Sequence, residues 1–199
     1  MKDDGATGVS GAVSWGLLAA WAANDLEEIA TMAGWLRTAR PELRKRLPWL
    51  PDRVWERLDL SQREVNTAIG LMGVVVAAAA ADGARTGGRS AFFRSTLAGF
   101  GLHGVVHLAQ SAAYGGYTPG AATSPTVVIP YSLWAVRRLR AAGIPLGGTR
   151  SAVSGLAYLP VAVVGVHTAA RLLSRRRPAG RRGGPGPTAG SPPGTGRCG

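Results

Sequence analysis

Two groups of polar side chains interrupt stretches that are otherwise apolar. The first is Asn24-Asp25-Leu26-Glu27-Glu28, at the end of an uncharged run that begins at Val9. The second is His103-Gly104-Val105-Val106-His107. Carboxylates and imidazoles on facing helices are the ligand set of di-iron and di-manganese bundles. A histidine pair at i and i+4 presents two nitrogens on one helix face, as helical zinc sites do. Glu27, Glu28, His103 and His107 are therefore the candidate metal ligands, with Asn24 and Glu64 as further candidates. Iron, zinc and manganese are the divalent ions that suit this set. Two other readings use the same residues. One is a metal-free hydrogen-bonded or ionic network that fixes helix packing, and the other is a proton or substrate path.

The elements that must position these groups follow from the apolar pattern. A first helix is expected over residues 10–35. Only 15 of its residues, 9–23, form the uncharged run. Crossing a bilayer takes about 20 residues, so a spanning helix carries Asn24, Glu27 and Glu28 into the membrane or its boundary. These three share one face at i, i+3 and i+4, and Asp25 is expected to point elsewhere, toward the boundary. Residues 37–63 read as a charged loop broken by Pro41, Pro48 and Pro51, with Trp35, Trp49 and Trp55 as an interfacial belt.

Ser61-Gln62-Arg63-Glu64 has the form of a capping box opening a second helix. That role accounts for Glu64 without any ligand function. Residues 65–81 are uncharged and rich in Ala and Val. A third helix over 91–114 carries His103, His107, Gln110 and Ser111 as one polar stripe, which must face the interior because lipid cannot satisfy it. A fourth helix over 125–139 contains Pro130, which predicts a kink. A fifth is expected over 151–173, with His167 as an interfacial histidine near its end. In any orientation the end of the first helix, the start of the second and the end of the third lie on one side of a membrane. That places Glu27, Glu28, Glu64 and the histidines at similar depth.

The predicted class is thus all-α: a polytopic transmembrane bundle of about five helices over residues 9–173, after a short N-terminal tail, 1–8. Residues 174–199 hold 8 Gly, 5 Pro and 6 Arg with no acid, and are expected to be disordered. This tail contributes half of the net charge of +12. Binding of the tail to anionic lipid is the expected use. It has no aromatic residue for base stacking and no nucleic-acid motif beside it, so no nucleic-acid partner is expected. The acidic Asp3-Asp4 argues against a signal peptide. Cys198 is the sole cysteine, which excludes an internal disulfide and a cysteine-based zinc cluster. An N-terminus outside places 15 of the 23 basic residues on the cytoplasmic side of a cell membrane, favouring a cytoplasmic C-terminus. Small-residue faces permit self-association and do not define an oligomer. Gly-x-Ser-x-Gly and phosphate-loop motifs are absent, so no reaction is assigned.

Taken together, Glu27-Glu28, the run Phe100-Gly101-Leu102-His103-Gly104-Val105-Val106-His107-Leu108 and Tyr117-Thr118-Pro119-Gly120 resemble the HXXEE family of membrane proteins. The resemblance covers about residues 13–139. It implies a membrane-protein class and supplies no mechanism. Asn24 stands where that motif has its histidine. Its amide oxygen is a weaker ligand for a transition metal than an imidazole.

Overall fold

The computed structural model describes residues 8–57, 59–146, 164–166 and 168–170. Among these the protein is helical, with no strand. Most of the expected helix over 151–173, His167 and the Arg-rich tail lie outside the described residues.

Helix α1 runs from Gly11–Arg46, about 54 Å at 1.5 Å per residue. It continues ten residues beyond the sequence-based charged-loop boundary and contains Pro41. The reason lies in its side chains. Arg40 binds the Trp55 carbonyl and pairs with Asp59. Arg44 pairs with Asp52 and lies over the Trp55 ring. These contacts hold the short helix α2, Asp52–Arg57, against the end of α1. Arg44, Lys45 and Arg46 also offset the negative end of the α1 dipole. Trp55, expected in an interfacial belt, is instead buried, whereas Trp49 at the intervening turn is exposed.

Helix α3, Gln62–Arg85, opens with the predicted capping box. Ser61 Oγ accepts the Glu64 backbone N–H, and the Ser61 N–H donates to Glu64 Oε2 at 2.9 Å. A tight turn with left-handed Gly87 and Gly88 leads into α4, Ala91–Tyr114, whose bounds match the sequence reading. Ser90 caps the start of α4 and left-handed Gly115 ends it. Where a single helix over 125–139 was expected, a π-helical turn over Ser124–Val128 passes into α5, Ile129–Ala141, with Pro130 in its first turn. The Ile129 N–H bonds the Ser124 carbonyl, five residues back.

α1 packs most extensively along α3. Val13 and Leu17 of α1, Phe93 and Leu97 of α4, and Val128, Ala135 and Leu139 of the last arm form the fully buried core. Gly83 allows a close approach of α3 to α4 and α1. A Cβ there would fall 2.5 Å from the Phe93 ring and 2.9 Å from Ser14 Oγ.

One helix among the described residues, α3, is long and apolar enough to cross a membrane. The sequence reading expected five. The other arms fall short for distinct reasons. α1 carries Asn24, Asp25, Glu27 and Glu28 in its middle, α4 carries two histidines, and α5 has only 13 residues. Asp25, expected at a polar boundary, is buried at 7% exposure.

Candidate metal centre

α1 and α4 bring three of the candidate ligands together. Glu28 projects from the middle of α1, and His103 and His107 lie one turn apart on α4. Glu28 Oε1 is 2.9 Å from His107 Nε2 and 3.4 Å from His103 Nε2. The two Nε2 atoms are 2.8 Å apart. Glu28 and His107 are buried, and His103 is partly so. Asn24, fully buried, donates from Nδ2 to the same Glu28 oxygen at 3.0 Å.

Hydrogen bonds close this triangle only by sharing protons among its three atoms. Each imidazole Nε2 holds either a proton or a lone pair, and the carboxylate oxygen only accepts. If both nitrogens are protonated, two donors face each other at 2.8 Å. If only His107 Nε2 is, its proton is shared between Glu28 Oε1 at 2.9 Å and the His103 Nε2 lone pair at 2.8 Å, and that lone pair faces an ionised carboxylate at 3.4 Å. A cation at the centre satisfies all three atoms at once. Ligand bonds of about 2.0–2.1 Å put neighbouring ligand atoms about 2.9–3.4 Å apart, which is the scale of the observed triangle.

Glu27, one residue away, is not part of the triangle. Its Oε1 accepts from the Tyr117 hydroxyl at 2.6 Å and the Ala122 N–H at 3.2 Å. Its Oε2 accepts from the Thr123 N–H at 2.8 Å and lies 2.6 Å from the Thr123 hydroxyl. That hydroxyl also reaches Asn24 Oδ1 at 3.0 Å. Burial and the hydrogen bond to Glu27 push the Tyr117 phenol above its ordinary range. Glu64 closes the capping box at the start of α3 and is not grouped with the histidines. Of the predicted polar stripe on α4, Gln110 is exposed, and Ser111 donates to the Gly116 carbonyl at the helix end.

The segment 117–124 is the part of the site that pattern reading missed. Left-handed Gly120 packs directly on the His107 ring, where a Cβ would sit 2.5–2.7 Å from three ring atoms. Thr118, Pro119 and Gly120 are buried. His107 Nδ1, also buried, has no hydrogen-bond partner among the described residues. The sequence signal was the uncharged turn with its Tyr-Thr-Pro-Gly run, which says nothing by itself about what the turn covers.

A model of the family described as "Protein of unknown function with HXXEE motif" matches residues 15–135, and the chain belongs to that family. No curated protein and no solved structure matches it.

Proposed function

We propose that this protein is an integral membrane helix bundle that holds one divalent transition metal on Glu28, His103 and His107. The observation that carries the metal reading is the triangle of three ligand atoms from two helices at 2.8–3.4 Å, the spacing at which one ion would hold them. Iron, zinc and manganese fit the mixed carboxylate and imidazole set. Three protein ligands leave a coordination position open, the arrangement in which bound metals activate water or polarise a carbonyl. The membrane reading rests on α3 and on large apolar side chains left exposed along the helices, among them Leu26, Val74, Val105 and Leu133. On this reading the Arg-rich tail lies on the cytoplasmic side against anionic lipid.

The competing reading is a metal-free packing network. The Asn24 amide favours it, because its donation already satisfies one lone pair of Glu28. Elemental analysis of the detergent-purified protein separates the two. The expected result is about one iron, zinc or manganese per chain, lost in the His103→Ala/His107→Ala double variant. Absence of metal from the wild-type protein after reconstitution with each ion would leave the packing network.

A further inference from the structure

We propose that the two adjacent glutamates have different tasks: Glu28 faces the histidine pair, and Glu27 is a clamp that holds segment 117–123 over His107. The proposal rests on the metal reading for its consequence, and on the hydrogen-bond geometry for the clamp itself.

A carboxylate has about four acceptor positions. Around Glu27, four donors from three residues occupy them: the Tyr117 hydroxyl, the Ala122 and Thr123 N–H groups, and the Thr123 hydroxyl. A glutamate so engaged is turned toward this segment and away from the histidine pair, and is absent from the three-residue ligand group. All the donors come from the segment that joins α4 to the π-helical turn. A second tie fastens the same segment, with Trp35 Nε1 donating to the Tyr117 carbonyl at 2.8 Å. Between the ties, the backbone at Gly120 lies on the His107 imidazole. The Ser124 hydroxyl donates to the Gly120 carbonyl at 2.6 Å and fixes that bend.

The clamp is also joined to the ligand carboxylate. The single Thr123 hydroxyl proton is shared between Glu27 Oε2 at 2.6 Å and Asn24 Oδ1 at 3.0 Å, and Asn24 Nδ2 donates to Glu28 Oε1. Releasing Glu27 therefore loosens two things: the cover over His107 and the amide that orients Glu28. Glu27 is a positioning residue, and its removal speeds loss of the ion while leaving the ligand set in place.

Cobalt(II) substitution in the full-length, detergent-solubilised protein tests this, because its visible absorption reports the ligand set. Glu27→Gln keeps the length of the side chain and replaces one acceptor oxygen with a donor. Tyr117→Phe removes one tie and leaves the backbone alone. In both variants the cobalt band is expected to persist at the wild-type stoichiometry. Extraction of the ion by EDTA is expected to quicken, by about tenfold for Glu27→Gln, in line with loss of charge-assisted hydrogen bonds. Glu28→Gln should lose the band. Loss of the band in Glu27→Gln while Tyr117→Phe keeps it would make Glu27 a ligand and overturn the proposal, as would an unchanged extraction rate. Should the wild-type protein show no cobalt band, the metal reading fails and the clamp is judged by amide hydrogen exchange. Faster exchange confined to residues 117–123 in Glu27→Gln sustains it, and unchanged exchange there refutes it.

Discussion

Glu27 and Glu28 are identical in type, adjacent in sequence and legible as one motif, yet their surroundings set them apart. Helical spacing placed both near the face of Asn24, and nothing local distinguishes them. The distinction comes from partners 75 and more residues away: His103 for Glu28, Tyr117 and Thr123 for Glu27. Asp25 shows the same limit from the other side. Spacing put it off the site face and at a polar boundary, yet it is buried, hydrogen-bonded to Asn24 and close enough to Glu28 to feel its charge. Asp25 forms no ion pair among the described residues while only 7% exposed. Burying a carboxylate without a cation is costly, whereas an amide of the same shape is cheaper to bury. Asp25→Asn is therefore expected to leave the unfolding midpoint in detergent unchanged or higher. A loss of more than about 2 kcal/mol, the scale of a broken buried polar contact, would mean that the charge serves a partner.

At the scale of elements, what is local was legible and what depends on docking was not. The capping box of α3 uses residues three apart, and the α4 bounds are set by Ser90 and Gly115. The end of α1 was misplaced because Pro41 and the charges after it read as a loop. The helix persists there because Arg40 and Arg44 find Asp59, Asp52 and Trp55 on the returning chain. Ser61→Ala should destabilise α3 by about 1 kcal/mol through loss of the cap, read as a lower midpoint in a denaturant titration. Because the box opens α3 and supplies none of the three ligand atoms, its loss should leave bound metal per chain unaltered.

For the whole molecule, the helical class followed from the blocks of apolar residues, but the number of spans did not. Polar residues placed mid-helix lower the apolar character of α1 and α4, whatever those helices face. A bound ion should raise the stability of the assembled protein. At a free concentration one hundred times the dissociation constant the gain is about 2.7 kcal/mol. A rise in melting temperature on adding zinc or manganese, absent in the His103→Ala/His107→Ala variant, is the expected outcome. A rise of equal size in that variant would point to binding elsewhere. The packing adds a topological meaning to this gain. Of the pairs of contacting elements, α1 against α4 is the least extensively packed, yet this pair supplies all three atoms of the triangle. An ion seated there would work as a removable cross-link between chain positions 75 residues apart. Unlike a disulfide, the ion leaves when the chain unfolds, so what it adds is set by its affinity and free concentration and not by the length of the loop. Metal supply would then govern how far the chain completes its assembly, and withdrawing the ion would unfasten α1 from α4 first.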